Sequence, residues 1–142
     1  MIKQNIVFVE NKAGSLKRVT NILANNDINI YGFACFDAPE FAIFRMICND
    51  PDKAEIILNQ SGYMNRITQA IVVDMKDQVG GLDELLKVLA DSNVSLDYIY
   101  TSFHRKDLIP VVILHSEDIT VTESVLKNNG FKVFTSVDEL EK

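Results

Sequence analysis

The stretch Asn11-Lys-Ala-Gly-Ser-Leu16 comes back 66 residues later as Asp77-Gln-Val-Gly-Gly-Leu82. The apolar residues after it come back too: Val19, Ile22, Leu23 and Ala24 are answered by Leu85, Val88, Leu89 and Ala90. A second block, Asp50, Glu55, Leu58 and Gly62, recurs 68 residues on as Asp118, Glu123, Leu126 and Gly130, with Gln60 answered by the related amide Asn128. The step from 66 to 68 implies that two residues were inserted between the blocks. The polar turn His104-Arg-Lys-Asp107, standing where the first copy has the tighter Asp37-Ala-Pro-Glu40, is the expected place. Agreement in both order and spacing marks an internal repeat. The chain is expected to hold two copies of one unit, residues 1–67 and 68–142.

Each copy has the same order of elements. Ile2 to Val9 is rich in β-branched residues and alternates loosely, the pattern of a strand. From Gly14 the period becomes helical, with Leu16, Val19, Thr20 and Leu23 on one face. Ile28–Phe36 and Phe41–Cys48 form a hairpin around Pro39. Asp50-Pro51 starts a second helix, Asp as N-cap and Pro at the first helical position. Ala54, Ile57 and Leu58 are its apolar stripe, and Gly62 suits the left-handed position that ends it. A short strand, Tyr63–Ile67, closes the unit.

The second copy runs the same way. Its strand is Ala70–Met75, and its helix carries Leu82, Leu85, Leu86 and Leu89. Its hairpin pairs Leu96–Phe103 with Ile109–His115, and its last helix carries Thr122, Val125 and Leu126. The final strand is Phe131–Thr135, and Val137–Lys142 reads as a frayed tail. The fold class is therefore α+β: two ferredoxin-like βαββαβ repeats, each an antiparallel sheet with two helices on one face. One copy has a thin core, and no Gly/Ser linker separates the two. They are expected to pack as one body.

Composition bounds the function. The 142 residues are 47% hydrophobic and 24% charged, normal for a folded globular chain. Fourteen Lys and Arg against twenty Asp and Glu give a net charge of −6, which argues against nucleic acid or an anionic membrane as the main partner. No apolar run reaches the ~20 residues of a membrane helix, and the N-terminal residues have no signal-peptide core, so a cytoplasmic protein is expected. Cys35 and Cys48 lie in apolar runs and read as two buried thiols. With two histidines and no Cys-x-x-Cys, no metal site and no cofactor is expected.

Around Phe8-Val-Glu-Asn-Lys-Ala-Gly-Ser-Leu16, with Asp27-Ile-Asn-Ile30 after the helix, the chain resembles the opening of ACT domains. These are small amino-acid-sensing modules attached to enzymes of amino-acid metabolism. As a whole, over residues 2–136, it resembles a smaller group of stand-alone proteins made of two such domains. There the first hairpin carries a pattern like Cys35-Phe-Asp-Ala-Pro-Glu-Phe-Ala-Ile-Phe-Arg45 and the second copy one like Leu96-Asp-Tyr-Ile-Tyr-Thr-Ser-Phe103. Two departures stand out. Family loops usually place Pro before the Gly, where this chain has Ala13 and Val79. The second copy also has Asp77 and Ser95 where the first has Asn11 and Asn29.

The resemblance implies a regulatory binder of a free amino acid, with asparagines at positions 11 and 29 gripping the ligand. The residues are compatible with this. Gly14 lets the backbone approach a ligand closely and opens a helix with unpaired N–H groups, which suit an α-carboxylate. Asn11 and Asn29 each donate and accept, matching an ammonium and carboxylate pair; equally, Asn11 can simply shape the turn and Asn29 start a strand. Ser15 belongs to the same candidate loop, and Ala13, Leu16 and Ile30 near these positions point to room for an apolar or aromatic group. In the second copy the matching set is Asp77, Val79, Gly80, Gly81 and Ser95, where Asp77 can take an ammonium or form an Asx-turn. Tyr98 and Tyr100 share one strand face and can cover a ligand, an interface or the sheet itself. Arg45, in an apolar strand, needs a partner: an ion pair, a dimer contact or a ligand.

Catalysis is not expected. Acylphosphatase-like enzymes share the element order but need an Arg in the first loop, and Asn11-Lys-Ala-Gly14 has none. Neither a phosphate loop nor a nucleophile elbow occurs, and His104 reads as part of a solvated turn. The expected partners are a free amino acid, a second copy in a symmetric homodimer and a metabolic enzyme. The alternative is a ligand-free docking subunit of an enzyme handling amino acids or aryl or branched acids.

Overall fold

The computed structural model describes all residues, Met1–Lys142. The elements are β1 (Ile2–Glu10), α1 (Ser15–Asn25), β2 (Ile30–Asp37), β3 (Phe41–Cys48), α2 (Pro51–Gln60), β4 (Asn65–Asp74), α3 (Gly81–Asp91), β5 (Leu96–Phe103), β6 (Pro110–Ser116), α4 (Ile119–Asn128) and a 3₁₀ turn, Val137–Leu140. The chain divides into two compact units, Lys3–Thr68 and Gln69–Lys142, the latter including Met1 and Ile2.

In the first unit the strand order is β2-β3-β1 and then the opening part of β4. The β1–β3 and β2–β3 pairs are antiparallel. Alternation sends Val7, Val9, Phe44, Met46 and Cys48 to the helical side, where they bury Val19 and Leu23 of α1 and Ala54 and Leu58 of α2. Each such fully buried Leu or Val contributes about 1.5–3 kcal/mol. In the second unit β5 pairs with β6 and β6 with the later part of β4, again antiparallel. Its core joins Ile71, Val73, Val112 and Leu114 to Leu85, Leu89 and Leu126 from the helices.

The backbone repeats as faithfully as the sequence. Gly14 and Gly80 have φ of 82° and 85°, Gly62 and Gly130 86° and 84°, and Asp27 and Asn93 59° and 58°. Leu108, at φ 61°, has no counterpart and lies in the turn that holds the insertion. As read from sequence, Asp50 caps α2 by accepting from the Lys53 N–H at 3.1 Å; its repeat counterpart Asp118 does the same for α4, accepting from the Val121 N–H at 3.2 Å.

Several expectations need correction. The strands expected at 63–67 and 70–75 are one strand, because no Gly or Pro interrupts the extended pattern between them. The final strand contracts to a bridge between Val133 and Val73, flanked by Asp74 N–H to Lys132 O and Phe134 N–H to Val72 O. The tail is not frayed: Leu140 is fully buried, and its carbonyl accepts from the Arg105 N–H at 2.8 Å. His104 is not in a solvated turn either. It is buried, bonds Asp74 Oδ1 through Nε2 at 2.8 Å and packs on Phe134 at 5.1 Å. The apolar stripes also shift slightly, since Ser15 is buried while Leu82 is exposed at the first turn of α3.

Cys48 is buried as expected but Cys35 is exposed, because it sits on β2, the edge strand. Burial pushes the Cys48 thiol up to about 11. Partial shielding, then the Asp37 carboxylate, raises Cys35 as well. An alkylating reagent should therefore modify Cys35 slowly in the native protein and reach Cys48 only on unfolding. Mass spectrometry of the two states checks this; native labelling at Cys48 would sink the burial argument.

Candidate functional site

The loop from β1 to α1 is built for close approach. Gly14 is the N-cap of α1 in the left-handed conformation, with no side chain capping the helix. The first turn of α1 holds no acidic residue, so its free N–H groups keep their affinity for an anion. Asn11 reaches sideways, donating from Nδ2 to the Ala38 carbonyl at 3.2 Å, which ties the loop to the far end of β2. Asn11, Ala13 and Leu16 line a depression of about 490 Å³ with Phe36, Asp37 and Ala42. Glu10 and Lys12 close one side as an ion pair at 2.6 Å, and that ammonium holds the Glu10 carboxyl below its usual range.

Ser15 lies elsewhere, buried, its Oγ accepting from Arg18 at 3.3 Å, beside a smaller depression of about 300 Å³ lined by Arg18, Gly62 and Tyr63. Asn29 is also apart. Its backbone N–H donates to Asn49 Oδ1 at 2.9 Å and its carbonyl accepts from the Asn49 N–H at 3.1 Å. Ile30 beside it packs on the core. In register, Glu10 faces Phe41 while Ile30 faces Cys48, so Asn11 and Asn29 stand just beyond opposite ends of an eight-residue strand pair, roughly 30 Å apart. Within one repeat the structure does not bring them together.

The second repeat has the same plan with different chemistry. Asp77 lines a depression of about 460 Å³ with Asp74, Glu84, Ile109 and Phe131. Ser95 lies in another, of about 520 Å³, with Asn93, Ser116 and Thr122. Val79 is fully exposed, and Gly80, at φ 85°, is the N-cap of α3. Gly81 is buried, and a Cβ built on it would stand 2.0 Å from the Lys76 carbonyl oxygen.

Sequence pattern alone does not mark Cys35, Phe36 and Asp37 at the first cavity, or Asn49 beneath Asn29, as site residues. Cys35, Phe36 and Asp37 are adjacent in sequence but reach the loop only through strand pairing, which leaves no local signal. Arg45 lies 4.9 Å over the Phe36 ring, an aromatic partner where an ion pair is one expectation. Tyr98 and Tyr100 stack on one face at 6.4 Å, and His115 stacks on Tyr98 at 5.4 Å. No group of three or more His, Cys, Asp or Glu side chains gathers to hold a metal ion, and no helix is long and apolar enough to cross a membrane.

Comparison with known proteins places this geometry. A solved protein of Bacteroides thetaiotaomicron is 27% identical, with a TM-score of 0.89 over 99% of this chain and 96% of that one. The aspartokinase α and β subunits share the fold at 18% identity, with a TM-score of 0.60 over 89% of this chain and 90% of that one. The regulatory subunit of aspartate kinase from Thermus thermophilus does so at 13% identity, TM-score 0.60, over 90% and 91%. No match was found among curated proteins. The model of the ACT domain pair family matches residues 1–139, and with its repeated βαββαβ units and glycine-capped loops the chain belongs to that family.

Proposed function

We propose that this chain is a non-catalytic regulatory protein that binds a free amino acid and passes the event to a metabolic enzyme. The observation that carries the reading is the placing of Asn11 and Asn29 at opposite ends of an edge strand. Two copies paired antiparallel along β2, centred between Phe33 and Ala34, set Asn29 of one copy beside Ala38 of the other. Asn11 is hooked to that same Ala38 carbonyl. Each two-fold pair then holds two composite sites, one copy supplying the glycine loop and the other the second asparagine. The pairing also covers Phe33 and Phe36, which are 61% and 45% exposed on the free strand.

In such a site the α-carboxylate takes the open N–H groups of α1, and the two asparagine side chains divide the remaining polar contacts. Ala13, Leu16, Phe36 and Ala42 receive the side chain, and the Asp37 carboxylate repels acidic ones. The ligand class is therefore a neutral amino acid with an apolar side chain. A sensor must respond at cellular levels, and dissociation constants of roughly 10 µM to 1 mM require only about 4–7 kcal/mol. A ligand bridging two copies favours the paired state, and a partner can read that shift.

Thermal unfolding against the twenty amino acids tests the reading. At about 100 times its dissociation constant the ligand adds about 2.7 kcal/mol, a rise of several degrees for a chain of this size. The rise should occur for an apolar amino acid, be absent for aspartate and glutamate, and vanish in Asn11→Ala. No rise for any amino acid would favour the ligand-free docking subunit instead.

A further inference from the structure

We infer that only the first repeat carries the amino-acid site, so that each chain binds one ligand; this rests on the reading above and assigns the two loops different fates. The loops share a backbone: Ser15 N–H donates to Lys12 O and Gly81 N–H to Gln78 O, 3.2 and 3.0 Å. Their charges differ. α1 has no acid in its first turn, whereas α3 has Asp83 and Glu84 there. The neutral amide of Asn11 is replaced by the carboxylate of Asp77. Lys76 is engaged with both oxygens of Glu84, at 3.2 and 3.4 Å. Asp77 and Glu84 line the depression at the α3 N-terminus, and Asp83 joins Glu84 in the first turn. The two lysines there face carboxylates of their own, Lys76 that of Glu84 and Lys132 that of Glu139 at 3.9 Å. Glu10 beside α1 is matched by Lys12 at 2.6 Å, with Arg18 one turn into the helix.

The remaining contacts differ as well. Ser95 replaces Asn29 and offers a shorter hydroxyl in place of an amide. By strand register Phe103 takes the place of Asp37, and the Arg105 guanidinium lies 4.6 Å over its ring, so an aromatic ring stands where the first cavity has a carboxylate. Gly81, which stands where the first loop has Ser15, is held so close to Lys76 that its carbonyl lies 2.0 Å from where a Cβ would be. The second loop is folded tightly on itself between Lys76 and Gly81 and carries more carboxylates than the first. An α-carboxylate approaching it meets like charge, which weakens binding by about 100-fold or more.

Isothermal titration of the full chain with L-leucine and with L-phenylalanine decides the matter, alongside the Asn11→Ala, Asp77→Ala and Ser95→Ala variants, each first shown to unfold at the wild-type temperature. The expected result is one site per chain, unchanged in Asp77→Ala and Ser95→Ala and lost in Asn11→Ala. Two sites per chain, or a halved stoichiometry in Asp77→Ala, would overturn the inference while leaving the sensor reading in place. No heat with either amino acid, together with no thermal shift across all twenty, overturns both.

Discussion

Leu140→Ala should lower the unfolding free energy by about 3 kcal/mol and the unfolding temperature by about 10 °C, although the residue lies in the last three of the chain. Leu140 is fully buried, and its carbonyl takes the Arg105 N–H at 2.8 Å. The segment leading to it is tied at several points. Ser136 Oγ accepts from the Asp138 N–H at 3.2 Å. Glu139 Oε1 accepts from both the N–H and the hydroxyl of Thr135, at 2.9 Å each. Those donors, the Thr135 N–H first, hold the Glu139 carboxyl below its usual range. Phe134 is buried too, with the His104 ring at 5.1 Å. Truncating Leu140 leaves a void in this corner that the backbone ties keep from collapsing. Urea denaturation measures the loss. A change below about 0.5 kcal/mol is what a frayed tail would give and would refute the anchoring.

Gly81→Ala should cost about as much, by a different mechanism. Its Cβ would stand 2.0 Å from the Lys76 carbonyl oxygen and 3.1 Å from the carbonyl carbon, so backbone has to move. Overpacking of this kind costs about 3 kcal/mol or displaces the first turn of α3. Gly80→Ala is the control: nothing stands within 4 Å of its Cβ, and only the left-handed φ of 85° opposes it, worth about 1–2 kcal/mol. Chemical denaturation of the two variants side by side checks the difference. Equal, mild effects would mean the second loop is not folded tightly between Lys76 and Gly81, and would remove part of the ground for one site per chain.

The repeat and its elements were legible because periodicity reports burial directly. Val19, Leu23, Ala54, Leu58, Leu85, Leu89 and Leu126 recur at helical spacing, and each faces the core. Cys35 illustrates where that signal ends. Its apolar neighbours read as a buried strand, yet β2 lies at the sheet edge and the thiol is exposed, and strand order is not written in a strand's own pattern. His104 and Leu140 depend on contacts between segments thirty or more residues apart, which no local rule encodes. Of the candidate site, the glycine-capped loop was readable from Gly14 and Gly80. The separation of Asn11 from Asn29 was not, because it is set by strand register.

The composite site is tested most directly by mixing two inactive chains. Asn11→Ala removes the loop side of every site and Asn29→Ala the partner side, so neither variant alone should show ligand-induced stabilisation. When the two are unfolded and refolded together, half of the pairs are mixed, and each mixed pair has one intact and one doubly damaged site. Titration of the mixture with L-leucine and L-phenylalanine should then recover about a quarter of the wild-type binding capacity at wild-type affinity. A mixture as silent as its components, beside a wild type that binds, would place both asparagines of a site on one chain and contradict the account.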